Sequence, residues 1–265
     1  MLSWETNTGL RGRDGVEARC GPEGQPGAPQ ARPPPPRDTR PSVRLAVLIP
    51  VLDEELALPG VLASMPTDVR VVVCDNGSRD RSAAIAEAAG AEVVTWSQRG
   101  YGGAVLAGIR HLAADPPEVV VVWDGDQSVD PGDLPALLAP IERGDADLVL
   151  GDRTHLAEPG ALPPQQRWGN RWATMLLRLS TGRAFRDMGP FRAVRYDALV
   201  ALAMCDLTWG WNVEMQLKAL GAGLRVVEVP VHCRVRVGQS KISGTVRGTL
   251  RAGARITWAF WRYRS

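Results

Sequence analysis

The sequence predicts a doubly wound α/β fold, in which a mainly parallel β-sheet carries helices on both faces. Two observations support this fold class. From Arg44 onward, short runs rich in valine and other β-branched residues alternate with longer stretches of helical composition. The runs are apolar almost without interruption, which is typical of parallel strands covered on both faces. Single helices between such strands are the connections of a doubly wound sheet.

Each element follows from this alternation. The first five strands are predicted at Arg44–Ile49, Val69–Cys74, Ala91–Trp96, Glu118–Trp123 and Ala146–Leu150. The helices between them are predicted at Glu54–Met65, Ser78–Ala89, Gly103–Ala114 and Pro131–Arg143. Later in the chain the order is less regular, and the predicted elements are a helix near Arg167–Leu179, a strand near Phe191–Val194, a helix near Val213–Leu220 and a strand at Leu224–Val229.

The composition is that of an ordinary globular protein and argues against several other classes. The chain has 265 residues, of which 45% are hydrophobic and 23% charged, and its formal net charge of +2 is too small for a bulk nucleic-acid binder. Apolar runs such as Val119–Trp123 are far shorter than the roughly 18 residues that span a bilayer. The four cysteines are scattered without a CxxC pair, so we expect reduced thiols and no cysteine-built zinc site.

Three segments are expected along the chain. Residues 1–42 are rich in proline, glycine and arginine and poor in branched aliphatic residues, so we expect a disordered tail. Residues 43–233 carry the α/β pattern. Residues 234–265 are expected to form a basic loop followed by a C-terminal amphipathic helix.

Acidic side chains follow three of the first four predicted strands. Asp53 and Glu54 follow the first strand, Asp75 follows the second, and Asp124 and Asp126 follow the fourth. Ligands of open α/β sheets bind beyond the carboxyl ends of the strands, so these side chains are expected to share one site. Such residues also cap helices and form turns, but their recurrence favours a binding site.

The chemistry of these loops indicates a nucleotide and a metal ion. Asp124 and Asp126 are separated by one glycine, and hard oxygen ligands so spaced suit Mg²⁺ or Mn²⁺ bridging a diphosphate. Asp75 is placed either to accept hydrogen bonds from a nucleobase or to cap the next helix. Arg99, Gly100 and the glycines that follow offer a cation and a backbone that can approach a ribose or diphosphate closely. Neither a GxGxxG order after the first strand nor a GxxxxGK[ST] motif is present, which disfavours NAD-type and ATP-type sites.

Eight short motifs occur in the order found in a known enzyme family. They are PVLDE, CDNGSRD, RGYGGA, WDGDQSVDP, GDR at Gly151–Arg153, DMGPFRAVR at Asp187–Arg195, WNVEM at Trp211–Met215 and RVGQSKISGT at Arg236–Thr245. By these motifs the chain resembles the family 2 glycosyltransferases of the GT-A fold, the fold of nucleotide-diphospho-sugar transferases. The closest likeness is to the polyprenyl-phosphate (dolichol-phosphate) mannose and glucose synthases. The resemblance covers roughly Leu45–Thr249, and its most specific parts are the DxD and GxSK regions.

The resemblance implies a metal-dependent inverting enzyme that moves glucose or mannose from a UDP- or GDP-sugar to a polyprenyl phosphate. It implies Mg²⁺ or Mn²⁺ at Asp124 and Asp126. The donor-binding residues implied are Pro50, Asp53, Glu54, Asp75, Gly77, Arg99, Gly100, Gly102, Asp124, Gln127, Arg153 and Ser240. The residues implied at the catalytic centre are Asp126, Arg192, Glu214, Arg236 and Lys241.

Donor and acceptor both stay open at this point. Asp53 stands where the family often has Asn, and Asn76 where it often has a second Asp, so donor identity does not follow from the resemblance. A phosphate acceptor is already anionic at neutral pH and needs no general base. A sugar hydroxyl needs a carboxylate such as Glu214 or Asp187 to take its proton. A sugar nucleotidyltransferase is a further interpretation, but PVLDEE replaces the glycine-rich loop expected after its first strand.

The end of the chain is basic and amphipathic. From Arg234 onward it contains arginine and lysine but no Asp or Glu. Arg247, Arg251 and Arg255 recur every four residues on one helix face, and Trp258 and Trp261 lie on a neighbouring face. A helix of this kind lies in the interface of an anionic membrane, so we expect a cytoplasmic enzyme peripheral at the cytoplasmic face of the membrane. The alternative is a helix that packs its tryptophans on the protein core.

Overall fold

The computed structural model describes residues 43–238 and 257–263. The strands in these residues are β1 (Leu45–Val51), β2 (Arg70–Asp75), β3 (Glu92–Thr95), β4 (Val119–Val122), β5 (Leu148–Ala157), β6 (Arg192–Arg195) and β7 (Val226–Cys233). The helices are α1 (Leu58–Ala63), α2 (Ser82–Ala88), α3 (Tyr101–Leu112), α4 (Leu134–Glu142), α5 (Pro164–Thr181), α6 (Tyr196–Ala201) and α7 (Trp211–Gly221). A 3₁₀ turn at Pro131–Asp133 precedes α4, and residues 257–263 are helical.

Several predicted features lie outside the described residues. They are the tail at residues 1–42, the site residues Ser240 and Lys241, and the arginines Arg247, Arg251 and Arg255. Within the described residues, no helix combines the length and the apolar character needed to cross a bilayer. The cysteines that the structure describes, Cys74, Cys205 and Cys233, are free thiols.

The strands form one sheet in the order β3-β2-β1-β4-β6-β5-β7. Parallel pairs join β1 to β2 and β4, β2 to β3, and β5 to β7. Strand β6 runs antiparallel to both of its neighbours, β4 and β5. The sheet is therefore mainly parallel, which confirms the prediction, with β6 as the exception. Because β4 and β5 both oppose β6, their carboxyl ends point to the same edge as those of β1 and β2.

Apolar clusters cover both faces of the sheet. Successive strand residues point to opposite faces. In β1, the fully buried Ala46 and Leu48 pack with side chains of α3 and α7. The equally buried Val47 and Ile49 pack with side chains of α1 and α4 on the other face. This two-sided burial is the reason that the strands are apolar at nearly every position.

The first helix begins later than predicted. The sequence predicts a helix from Glu54, whereas α1 begins at Leu58. The backbone amides of Asp53, Glu54 and Glu55 donate at 2.9–3.0 Å to side chains of the loop at residues 78–82. Amides occupied in this way hold residues 53–55 in a loop that is tied to the end of β2. The predicted start of the second helix at Ser78 is wrong for the same reason, since α2 begins only at Ser82.

Two further differences lie in the second half of the fold. Strand β5 extends to Ala157, well beyond the predicted Leu150, because its polar continuation pairs with β7 across a register irregularity between Asp152 and Leu156. Helix α6 has six residues and was not predicted, since so short a helix has too few turns to show a periodic apolar pattern. Neither feature carries a local signal in the sequence.

Candidate active site

A cavity of about 400 Å³ opens at the carboxyl edge of the sheet. Its lining combines the ends of β1 and β4, part of β5, helix α5, and the first residues of α3 and α7. The predicted site residues in this lining are Pro50, Glu54, Asp124, Asp126, Arg153 and Arg236. The other described members of the predicted set lie outside the lining: Asp53, Asp75, Gly77, Arg99, Gly100, Gly102, Gln127, Arg192 and Glu214.

Asp124 and Asp126 directly follow β4 at the cavity. Gly125 lets the chain pass close to β1, because a Cβ at this position would lie 3.1 Å from a methyl carbon of Val51. The backbone amide of Ser128 donates to Oδ1 of Asp126 at 3.0 Å, which fixes the orientation of this carboxylate. The loop therefore presents two acidic side chains to the cavity, as the sequence predicts.

The surroundings of Asp124 disfavour its charged form. Burial, and after it the neighbouring Asp126 carboxylate, raises the pKa of Asp124 to about 7, although Arg153, Arg236 and Arg192 act in the opposite direction. Hard oxygen donors of this kind suit Mg²⁺ or Mn²⁺, and Asp124 and Asp126 are the residues that would hold such an ion. No group of three or more His, Cys, Asp or Glu side chains is arranged for a metal within residues 43–238 and 257–263.

Arg236 brings a cation to the acidic pair from the segment after β7. The amide of Val237 donates to the carbonyl of Asp126 at 2.9 Å, so this segment runs beside the loop that follows β4. The guanidinium of Arg236 lies 3.2 Å from Oε1 of Glu54 and 3.4 Å from Oδ2 of Asp126. The structure thus brings Glu54, Asp126 and Arg236 together, although they are far apart in sequence.

Arg153 provides a second cation at the cavity wall. Its guanidinium donates two hydrogen bonds to the Asp187 carboxylate, at 2.7 and 2.9 Å, and its amide donates a third at 3.0 Å. Burial alone would raise the pKa of Asp187, but the Arg153 guanidinium holds this pKa below its usual range. Asp187 is therefore occupied as an anion that positions Arg153, and it is absent from the cavity lining.

Arg192 does not occupy the place that the resemblance implies. It is fully buried, and its guanidinium donates to the carbonyls of Gly189 and Pro190 and lies 6.0 Å from the centre of the Trp211 ring. Burial lowers the pKa of Arg192 to about 10. Arg192 therefore supports the loop at Pro190, which does line the cavity, and influences Asp124 only through its charge.

The residues expected to hold the nucleoside are only partly brought together. Pro50, Glu54 and Asn76 line the cavity, whereas Asp53, Asp75, Gly77 and Arg99 do not. Oδ1 of Asp75 accepts from the amide of Ser78 at 3.2 Å, so this side chain fixes the loop after β2 and does not cap α2, which begins only at Ser82. Oδ1 of Asp53 accepts from the amide of Arg79 at 2.7 Å, so this side chain also fixes a loop.

Gly100 and Gly102 are required for a different reason from the one expected. The sequence predicts that these glycines let the backbone approach a ribose or diphosphate. A Cβ at Gly100 would instead collide with the carbonyl oxygen of Leu207, and one at Gly102 with that of Asp206. The close approach is therefore made by the protein's own loop at residues 206–209.

Gln127 is also structural. Its side-chain amide donates to the carbonyl of Ala57 at 2.8 Å, and it adopts a positive φ of 62°. A Cβ at Gly60 would collide with this amide, so helix α1 packs directly on Gln127. Gln127 therefore holds the loop of the acidic pair against α1, outside the cavity lining.

Glu214 lies apart from the cavity and is fully buried. Its carboxylate accepts from the backbone amides of Cys205 and Asp206, at 2.8 and 2.7 Å, and pairs with the Lys218 ammonium at 2.8 Å. A carboxylate engaged in this way organises the loop before α7. The two residues that the sequence offers as a general base, Glu214 and Asp187, are thus both absent from the cavity lining.

Sequence reasoning missed two parts of the cavity. Trp168 and Trp172 of α5 form an aromatic wall, with parallel rings whose centroids are 6.2 Å apart. Their spacing of four residues in the otherwise polar first half of this helix is a signal that could have been found. Tyr101 and Asn212, at the starts of α3 and α7, also line the cavity. Both stand inside motifs of the resemblance, but only tertiary packing brings them together.

A mainly parallel sheet whose carboxyl edge presents paired carboxylates, two arginines and a cavity is typical of α/β enzymes. The chain belongs to the glycosyl transferase family 2, whose sequence profile matches residues 46–202. This confirms the family expected from the motifs.

Similar proteins agree with the family. The chain is 42% identical over 211 residues to an uncharacterized glycosyltransferase of Mycobacterium tuberculosis, a match that covers 78% of this chain and 93% of that protein. It is 36% identical over 203 residues to a dolichyl-phosphate hexose transferase of Haloferax volcanii, covering 75% and 86% of the two chains. It is 32% identical over 221 residues to an undecaprenyl-phosphate mannosyltransferase of Micrococcus luteus, covering 78% and 90%.

Solved structures agree with the fold. The glucosyl-3-phosphoglycerate synthase of Mycobacterium tuberculosis superposes with a TM-score of 0.66 at 20% identity, covering 84% of this chain and 81% of that one. A complex of the same enzyme with Mn²⁺, UDP and glucosyl-3-phosphoglycerate gives a TM-score of 0.65. The fold of this chain is accordingly GT-A, and the chain is a glycosyltransferase.

Proposed function

We propose that the protein transfers a hexose from a nucleotide-diphosphate sugar to a polyprenyl phosphate, with inversion at the anomeric carbon. The observation that carries this proposal is the cavity itself. It joins an acidic pair and two arginines, which suit a diphosphate, to an aromatic wall, which suits the lipid chain of the acceptor. The names of relatives that act on dolichyl and undecaprenyl phosphate support the same acceptor class.

A nucleotide-sugar donor is supported by the lining near β1 and β2. Pro50, Glu54 and Asn76 offer a wall for the nucleoside beside the acidic pair. The similar synthase structure contains UDP.

Asp124 and Asp126 would hold a divalent metal ion. Mg²⁺ or Mn²⁺ supplies positive charge against the diphosphate of the leaving nucleotide when it is bound. The protein's own cations act in the same direction. Arg236 and Arg153 face the cavity, and Asp187 keeps the Arg153 guanidinium in a fixed orientation, so charge that develops on the leaving group meets donors already in place.

The arrangement of carboxylates favours a phosphate acceptor over a hydroxyl acceptor. A sugar hydroxyl must lose a proton on attack, which calls for a free carboxylate in the cavity. Glu214 and Asp187 are both engaged by backbone amides and cations away from the lining. A phosphate oxygen carries its negative charge before the attack, so its reaction requires no base.

A peripheral position at the membrane is part of the proposal. Helix α5 exposes four large apolar side chains at helical spacing, and it contains arginines but no Asp or Glu. The four are Trp168, Trp172, Met175 and Leu179. The same stripe lines the cavity at Trp168 and Trp172, so a membrane at this face would bring a lipid-linked phosphate to the acidic pair.

The C-terminal helical residues extend this face. The indole N–H of Trp172 donates to Oγ1 of Thr257 at 3.4 Å. Ala259 and Phe260 are buried on the core, whereas Trp261 is 72% exposed. The segment thus packs on the protein through one side and presents tryptophan on the other. The free thiols fit a reducing compartment, which supports the cytoplasmic face.

A transfer assay tests the proposal. Purified protein, Mn²⁺ and labelled UDP-glucose, UDP-galactose or GDP-mannose are incubated with undecaprenyl phosphate in detergent, with 3-phosphoglycerate, or with an oligosaccharide. We expect label in the lipid fraction for one donor, lost on chelation and in Asp124→Asn. Transfer to the oligosaccharide that Glu214→Gln abolishes, or release of pyrophosphate from a nucleoside triphosphate, would contradict the proposal.

A further inference from the structure

Three buried polar atoms on cavity-lining residues form no hydrogen bond within the described part of the chain. One is Nε of Arg236, whose guanidinium already pairs with Glu54 and Asp126 through its other nitrogens. The other two are the hydroxyl of Tyr101 and the side-chain carbonyl oxygen of Asn212. Tyr101 and Asn212 both line the cavity, but neither belongs to the acidic pair, the two arginines or the aromatic wall. Buried polar atoms are almost always hydrogen-bonded, because loss of water without a replacement is unfavourable. An unpaired atom on a cavity-lining residue is therefore available for a hydrogen bond to a ligand.

The positions of both side chains are fixed by packing. The Tyr101 ring lies between Trp209 and Trp211, with centroid distances of 6.2 Å to each. Two amides at the start of α3 donate to carbonyls of the loop at residues 206–209, at 3.2 and 2.9 Å. This loop leads directly into α7, whose second residue is Asn212. Tyr101 and Asn212 thus belong to one rigid wall.

The position of this wall determines which part of the substrate it contacts. Burial, and then the charge of Asp124, raises the pKa of Tyr101, so the phenol stays neutral and lies within electrostatic reach of the acidic pair. The hexose of a nucleotide-diphosphate sugar is attached directly to the phosphate that the pair would hold. The nucleoside is accommodated by the lining near β1 and β2, and the lipid by α5. Tyr101 and Asn212 differ from the other uncharged polar residues of the lining, such as Ser128 and Asn170, in carrying a buried atom without a partner in the described structure.

We infer that Tyr101 and Asn212 form the subsite for the transferred hexose, with the Tyr101 hydroxyl and the Asn212 carbonyl oxygen hydrogen-bonding to its hydroxyls. The inference rests on the proposed function, since it presumes a nucleotide-sugar donor at Asp124 and Asp126. A site built to hydrogen-bond a hydroxyl discriminates strongly against a sugar that lacks one in that position, because its buried polar atoms then stay unpaired. The pair would therefore help to determine which hexose is accepted.

The experiment compares a nucleotide sugar with the same nucleotide lacking the sugar. Calorimetric titration with Mn²⁺ measures the Kd of UDP-glucose, UDP-galactose, GDP-mannose, UDP and GDP for wild type, Tyr101→Phe and Asn212→Ala. Tyr101→Phe keeps the ring between the two tryptophans and removes only the hydroxyl. We expect each variant to weaken the preferred nucleotide sugar about tenfold, the effect of one hydrogen bond, and to leave the matching nucleoside diphosphate within about twofold. Tyr196→Phe, a hydroxyl removal outside the cavity lining, is the matched control and should change neither Kd.

The outcomes separate this inference from the proposed function. Equal weakening of nucleotide sugar and nucleoside diphosphate, or no weakening of either, would overturn the hexose subsite while leaving a nucleotide-binding enzyme intact. A wild type that binds none of the five nucleotides would overturn both. Thermal unfolding without ligand provides a second measurement. Tyr101→Phe should unfold at the same temperature as wild type or higher, because the hydroxyl has no partner to lose, and a clear drop would assign it a structural role instead.

Discussion

The Arg153 guanidinium and the Asp187 carboxylate form a two-point pair in the cavity wall, with hydrogen bonds of 2.7 and 2.9 Å. Asp187 is 2% exposed and also accepts from the backbone amide of Arg153 at 3.0 Å. The pair joins the middle of β5 to the loop before β6. It explains how a partly buried cation can be kept at the cavity without an uncompensated charge.

Breaking this pair on one side should be far more damaging than removing it altogether. Asp187→Leu leaves the partly buried Arg153 without its anion, so we expect the free energy of unfolding to fall by about 1–3 kcal/mol. Adding Arg153→Met should recover much of that loss, as measured by urea denaturation. The double variant should still lack transferase activity because the cavity has lost a cation. Equal destabilisation of single and double variants would argue against the pair.

The contact between Gly100 and the loop at residues 206–209 should be visible in stability. Gly100→Ala introduces a Cβ that meets the carbonyl oxygen of Leu207, so α3 and the loop must separate. We expect a loss of about 1–3 kcal/mol, the usual range for overpacking. Gly169→Ala is the matched control, since a Cβ there meets nothing within 4 Å and alanine favours the helix by roughly 1 kcal/mol. Chemical denaturation that ranks the two variants in the opposite order would be incompatible with this contact.

Acid stability should depend on Glu92. Hydrogen bonds from Arg70, and to a lesser extent from His111, lower the pKa of Glu92 to about 2. A carboxylate whose pKa is lower in the folded than in the unfolded state stabilises the protein above its unfolded pKa of about 4.3, and this stabilisation is lost as the pH falls towards 2. Glu92→Gln should therefore flatten the fall in unfolding free energy over that interval. An unchanged pH profile in the variant would show that the Arg70 contact is absent in solution.

Membrane binding should depend on helix α5. Flotation with vesicles of anionic phospholipid should carry the wild-type protein to the top of the gradient, and neutral vesicles should carry less of it. Replacing the exposed Met175 and Leu179 by glutamine removes apolar area beyond the cavity, so we expect reduced flotation with unchanged nucleotide binding. The control is the same substitution at Leu56, which is exposed but lies outside α5. Flotation that survives the α5 changes would move the membrane contact elsewhere.

The strands and the acidic pair follow from the sequence because their signals are local. A strand buried on both faces is apolar residue by residue, and the DxD pattern marks the turn that follows it. The reversed β6 and the extended β5 are set by pairing partners distant in sequence, so no local pattern reveals them.

One physical reason explains why several predicted site residues lie outside the cavity lining. Gln127, Glu214 and Asp75 are polar residues in the right motifs, but each satisfies backbone groups of a neighbouring loop. The same polar chemistry that can bind a substrate can also fix a loop. Only the tertiary structure decides between the two roles, as it does for the glycines at the start of α3.

The most direct measurement is a crystal structure with Mn²⁺ and a nucleoside diphosphate, recorded to show the anomalous signal of manganese. We expect one peak bonded to carboxylate oxygens of Asp124 and Asp126, at about 2.0–2.3 Å, and to oxygens of the diphosphate. The peak should disappear in Asp124→Asn. A diphosphate bound with both carboxylates turned away from any ion, or manganese held elsewhere, would contradict the account.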